Sequence, residues 1–106
     1  MNKLPLAGYT VLDLTLARAG PTAVRLLADW GANVIRVEPP PSTSQSLTGP
    51  STDPDYQNLH RNKRGLAINL KSSEGAALFK SLVAKADIVV ENFRADVKRR
   101  LGIGYE

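Results

Sequence analysis

An open, parallel, doubly wound α/β sheet, present in part, is the fold class this sequence predicts. The order strand, helix, strand, loop, strand, helix, strand is the start of such a sheet with right-handed crossovers. A length of 106 residues and an apolar fraction of 42% fit one small domain with one core. A chain this short buries a modest share of its surface, so a large ligand crevice needs more sequence or a partner to close it.

Tyr9 to Leu14, YTVLDL, is the first strand. In the AGPT that follows, Gly20 permits a tight turn and Pro21 suits the first helical position, where its missing N–H is not needed. A helix then runs from about Pro21 to Trp30, with Val24, Leu27 and Ala28 at i, i+3 and i+4 forming its apolar face and Gly31 as a left-handed cap. Asn33 to Val37, NVIRV, is the second strand. From Glu38 to Asn58 the chain is rich in Pro, Ser, Thr and Asp, which predicts a long flexible loop at about residues 39–60. Loops longer than about 12 to 15 residues are usually functional or disordered. Leu66 to Leu70 is the third strand. Ser73 caps a helix from Glu74 to Ala84 with an inward stripe of Leu78, Phe79, Leu82 and Val83, and Glu74 suits the positive helix start. Asp87 to Glu91 is the fourth strand, and a short basic helix is expected from Ala95 to Leu101.

A formal charge of +4 and a pI near 9.7 favour an anionic partner without choosing among nucleic acid, an acidic membrane face and a phosphorylated ligand. The absence of cysteine removes disulfides, thiolate metal sites and a cysteine nucleophile. With His60 the one histidine, no metal is expected. No run approaches the roughly 20 apolar residues of a membrane span, and the start MNKLPLAG lacks an apolar signal core. The chain reads as cytoplasmic, with no membrane partner.

Open parallel sheets bind ligands at the carboxyl ends of their strands, which selects LARAGP, EPPP, KSS and NFRAD. Arg18 stands before a helix start that would attract a phosphate; the equal alternative is a tight connection only, and the turn lacks a G-x-G-x-x-G dinucleotide fingerprint. Lys71-Ser72-Ser73 is a second phosphate candidate or, equally, a solvated lysine beside an ordinary N-cap. Asn92 and Phe93 leave a strand end together, able to clasp a heterocycle or simply to form a turn with a core aromatic. The clusters Arg61, Lys63, Arg64 and Lys98, Arg99, Arg100 suit nucleic-acid phosphates, but no recognised binding motif accompanies them and charge runs are usually solvated faces. Asp13 and His60 sit on different elements with no third partner, and read as structural.

Four ordered blocks, PLAGYTVLDLT, AGPTAVRLLADWGANVIRVEPP, NKRGLAINLKSSEG and KADIVVENFRADVKRRLGIGYE, resemble the amino-terminal part of a family III CoA-transferase. That group includes formyl-CoA and carnitine CoA-transferases and α-methylacyl-CoA racemase. The resemblance covers nearly the whole chain and implies that residues 1–106 are the amino-terminal part of a larger Rossmann-like domain. It implies coenzyme A or acyl-CoA as partner, without nucleic acid. Ile68, Asn69, Leu70 and Lys71 would line the adenine end of CoA, Asn92, Phe93 and Arg100 the nucleotide and pantetheine, and Arg18 the first turn. Two departures stand out: Pro39 replaces a frequent arginine after the second strand, and Asn69 replaces the more usual aspartate.

In the transferases of this family an aspartate attacks the acyl-CoA thioester, giving a mixed anhydride and then an aspartyl-CoA thioester. The racemase branch instead moves an α-proton with a histidine and an aspartate. Both sets belong beyond Glu106, so no catalytic residue is assigned, and the 106 residues alone are expected to be inactive. The interlocked homodimer of the full-length family likewise needs sequence beyond this chain. The alternatives are a fragment of a racemase-type isomerase and a stand-alone nucleotide or nucleic-acid-binding module.

Overall fold

The computed structural model describes residues 4–16, 19–39 and 54–94. Four strands, β1 (Thr10–Asp13), β2 (Asn33–Glu38), β3 (Arg64–Ala67) and β4 (Ile88–Val90), form one sheet in the order β3-β2-β1-β4. All three pairings are parallel, with Leu12 opposite Ile35 on one side and Val89 on the other. Three helices, α1 (Ala19–Asp29), α2 (Pro54–Leu59) and α3 (Ser73–Val83), connect them. The expected open parallel α/β sheet is present.

Strand alternation sorts the core into two layers, because successive side chains point to opposite faces. Val11 and Val34 meet Val24, Ala28 and Ala32 on the α1 side. Leu12, Leu14 and Val37 meet Ile68 and Phe79 on the α3 side. Burying a side chain of this size contributes roughly 1.5–3 kcal/mol, and Val11, Leu12, Val24 and Val34 are almost wholly enclosed. The α1 face expected from Val24, Leu27 and Ala28 packs as expected. Gly31, at φ +105°, takes the left-handed cap that ends the helix.

Four expectations are corrected. Residues 54–59, expected as loop, form α2: a helix of 6 residues has too few apolar positions to show periodicity, and Leu59 is buried. The third strand is Arg64–Ala67, two residues earlier than expected. Pairing continues for one bond, Ile68 N to Glu38 O at 2.8 Å, before Asn69 turns the chain; of the expected run only Ile68 is buried, and Leu66 and Ala67 lie exposed within the ladder. The α3 cap is Ser72, whose Oγ accepts from Gly75 N at 3.0 Å, and not Ser73. On α3, Phe79 is buried and Leu82 packs beside it, but Leu78 and Val83 are exposed. Leu78 lies about 100° around the helix from Phe79, at the rim of the contact. The basic helix expected over Ala95–Leu101 lies outside the described residues.

Candidate functional site

The strand order reverses between β1 and β4. From β1 the chain crosses to β2 and β3 on one side and returns through α3 to β4 on the other. In sheets of this kind ligands bind outside the carboxyl ends of the strands at that switch point. The residues there are Leu14, Thr15 and Leu16 after β1, and Glu91, Asn92 and Phe93 after β4.

The backbone at this point is held by side chains. Leu14 N donates to Val90 O at 2.9 Å, which extends the β1–β4 pairing by one bond. The Asn92 amide then pairs with Leu16 as a strand would: its Oδ1 accepts from Leu16 N at 3.0 Å and its Nδ2 donates to Leu16 O at 2.8 Å. Thr15 N donates to Asp13 Oδ1 at 2.9 Å, and Arg36 Nη1 donates to Thr15 O at 2.7 Å. Both N–H and both C=O groups of Thr15 and Leu16 therefore end on side chains from three different strands or their exits. A turn fixed in this way presents a fixed surface.

Beneath the turn, on the α1 side, lies a cluster of charges. Asp13 is fully buried, and the Lys63 side chain is 1% exposed. Lys63 Nζ donates to Asp13 Oδ2 at 2.8 Å, to Pro21 O at 3.2 Å and to His60 Nδ1 at 3.0 Å. An ammonium has three donors and no acceptor, so His60 Nδ1 must accept, and the imidazole is neutral with its proton on Nε2. Arg36 approaches Asp13 Oδ2 at 3.6 Å and pairs with Glu38 at 2.9 Å. Burial, with Arg36 and Lys63 nearby, pushes His60 from 6.5 down to about 4. Burial also lowers Lys63, against the opposing pull of Asp13.

At the β3 exit, Asn69 O accepts from Ser72 N at 3.1 Å and from Ser72 Oγ at 2.9 Å, while Asn69 Oδ1 accepts from Lys71 N at 3.1 Å. This turn is tight against α3: a Cβ at Gly75 would overlap the Asn69 carbonyl, so only glycine allows the approach. Lys71 is exposed at the start of α3, where the helix dipole favours an anion.

The residues singled out in the sequence divide by burial. Asn69 and Lys71 are exposed at the carboxyl edge, Ile68 points into the core with Leu12 and Phe79, and Leu70 and Phe93 pack against the same layer. Phe93 N donates to Glu91 Oε2 at 2.7 Å. Asn92 faces Leu16. Arg18 and Arg100 lie outside the described residues, as do Lys98 and Arg99. The cluster of Arg61, Lys63 and Arg64 is broken up: Arg61 pairs with Asp29 at 2.9 Å, which raises the guanidinium and lowers the carboxyl, and Lys63 is buried. Asp13 and His60, expected to stand apart, are joined through Lys63.

Sequence reasoning missed Arg36 and Lys63. The signal was available at Arg36, because alternation along NVIRV places it on the same buried face as Val34, as Asp13 falls on the face of Val11. Two opposite charges at core positions of adjacent strands call for each other. Lys63 gave no such sign, since its reach depends on Asn62, which takes φ +65° and donates to Asp29 Oδ1 at 2.8 Å.

Among the described residues no helix is long and apolar enough to cross a membrane, and no group of three or more acidic or histidine side chains is placed to hold a metal ion. The family model for CoA-transferase family III matches residues 6–106. The chain is 39% identical to the succinate–glutarate CoA-transferase of Agrobacterium fabrum, over 99% of this chain and 29% of that relative. It is 39% identical to the human succinyl-CoA:glutarate CoA-transferase, over 100% of this chain and 26% of that relative. A crystal structure of a CaiB/BaiF family protein from Brucella suis superposes with a TM-score of 0.83 at 32% identity, covering 98% of this chain and 30% of that one. The chain thus spans under a third of the length of these relatives.

Proposed function

This chain belongs to CoA-transferase family III, and from that premise we propose that residues 1–106 are the amino-terminal part of the large domain of an enzyme that moves CoA between carboxylic acids. Their share of the work is to hold CoA. The observation that carries this reading is the meeting of three shaped segments at one sheet edge: the clamped Thr15–Leu16 turn, the Asn69–Ser72 turn against α3, and the Asn92–Phe93 exit. The first and third flank the switch point, where a nucleotide-bearing ligand fits the topology.

Lys71 is the exposed cation beside a helix start and suits a phosphate of CoA. The backbone of Ile68 to Lys71 lines the adenine end. Ile68 acts through its main chain, since its side chain is spent in the core. Asn92 and Phe93 border the crevice, and Arg18 and Arg100 complete the set. Reaction by way of an aspartyl-CoA thioester requires an accessible carboxylate. Asp13 does not qualify, because it is fully buried and its two oxygens serve Thr15 and Lys63. A transferase is favoured over a racemase by the relatives named above, both CoA-transferases. The protein works in the cytoplasm, as an interlocked dimer once the remaining sequence is present.

Equilibrium dialysis of CoA and of duplex DNA across a salt series tests the assignment. CoA is expected to bind with a dissociation constant on the order of 1 mM, without acyl-CoA transfer by the 106 residues alone. Tight, steeply salt-dependent DNA binding with no CoA response, or transfer that disappears in Asp13→Asn, would overturn it.

A further inference from the structure

Lys63 contributes nothing to the sheet edge directly, yet all three of its donors are committed. Two of its acceptors stand on either side of one segment: Asp13 closes β1 and the Pro21 carbonyl lies in the first turn of α1. One ammonium therefore joins the two ends of the stretch from residue 14 to residue 20. The same Asp13 carboxylate holds Thr15 N, and Arg36, beside it, holds Thr15 O.

We propose that Lys63 is a positioning residue for the CoA site, a staple that holds the turn after β1 in the shape it presents to the switch-point crevice. As regards its ligand, this role rests on the CoA reading above; as regards the turn, it rests on the bonds themselves. Buried ion pairs are a poor route to stability, because desolvation offsets the attraction. What this one supplies is geometry. Lys63 reaches the turn from the segment between α2 and β3, so the placement of α2 against α1, through Arg25 to Asn58 O at 3.3 Å and Arg61 to Asp29 at 2.9 Å, is transmitted to the ligand edge.

The third bond makes the staple sensitive to acid. It requires neutral His60, which faces Lys63, Arg36 of β2, Asp13 of β1 and Glu38, with Arg25 of α1 also acting on Lys63. Protonation of His60 removes an acceptor and sets a third cation beside Lys63 and Arg36. The bond persists in the folded chain until pH approaches about 4, while opening of the staple grows easier below 6.5, where an exposed His60 takes up a proton.

Amide-resolved NMR on the full 106-residue chain tests the role, by hydrogen exchange with and without CoA. Lys63→Met alone strips a buried carboxylate of its ammonium partner, at a cost that endangers folding, so the deciding variant is Asp13→Asn with Lys63→Met. It removes both charges of the Lys63–Asp13 pair, leaves Arg36 paired with Glu38, and its asparagine carbonyl keeps the bond to Thr15 N. Val11 and Val34 are expected to stay protected, while protection at Thr15 and Leu16 falls about tenfold or more and the CoA dissociation constant rises about tenfold. In the wild type, protection at Thr15 declines as pH drops below 6.5, and in His60→Asn it does not. Unchanged protection at Thr15 and Leu16 in the double variant overturns the staple. A wild-type chain whose amides ignore CoA overturns the CoA reading, and with it the ligand half of the role, while the exchange data still decide whether the turn is held by Lys63.

Discussion

Asn92 illustrates how a single side chain can replace a stretch of strand. Its amide makes the two bonds to Leu16 that a backbone residue would make, so β1 and β4 stay joined past their last paired residues. Asn92→Ala removes both bonds. At about 0.5–1.5 kcal/mol net for each, the urea midpoint is expected to fall by the equivalent of roughly 1–2 kcal/mol, the lower part of the range because the residue is exposed. His60 supplies a second residue-level prediction. Its folded-state value lies below the ordinary 6.5, at about 4, so between these limits the unfolded chain binds the proton and the folded chain does not. Its contribution to stability is complete above pH 6.5 and is lost as pH falls toward 4. Urea titrations at pH 7 and pH 5 should show a smaller loss in His60→Asn than in the wild type; equal losses would count against the buried neutral imidazole. The cluster as a whole was not visible in the sequence, where Asp13 and His60 stood 47 positions apart with no partner named. Alternation marked Asp13 and Arg36 as sharing one buried face, but the reach of His60 left no periodic trace, and the link, Lys63, looked like a surface cation.

At the scale of elements, the sequence was legible wherever burial followed a period. β1, β2, α1 and α3 all fall within two residues of expectation, because alternation and the i, i+3, i+4 pattern record the two faces of the sheet. Errors arose where hydrogen bonding and burial part company. The ladder of β3 begins at Arg64 and Gly65, which carry no apolar signal, and Ile68 is buried although it follows the strand. The cap of α3 is decided by the turn before it, since Asn69 O holds Ser72 in place. Ser72→Ala is therefore expected to cost about 1 kcal/mol, and Ser73→Ala to stay within roughly 0.5 kcal/mol of the wild type, by urea unfolding followed by circular dichroism. The reverse order would restore Ser73 as the cap.

For the molecule as a whole, the order β3-β2-β1-β4 is what groups separate motifs into a candidate site, since it brings the exits of β1 and β4 side by side and sets the β3 exit on the same edge. Topology of this kind could be anticipated from the alternation of elements, and the strand-end rule selected KSS and NFRAD before any side chain was placed. The sequence could not show which of those residues remain free for a ligand. Asn69 and Lys71 are exposed, whereas Ile68 is spent on packing and Asn92 on Leu16. β4 leaves Ile88 and Val89 exposed at the edge of the sheet, which fits a chain spanning under a third of its relatives. The central claim is that this edge holds CoA, and its most direct measurement is an NMR titration of the labelled chain with CoA. Saturable shifts are expected at Thr15, Leu16, Asn69, Lys71, Asn92 and Phe93, with a dissociation constant on the order of 1 mM; shifts that never appear, or that gather instead around Asp29 and Arg61, would contradict it.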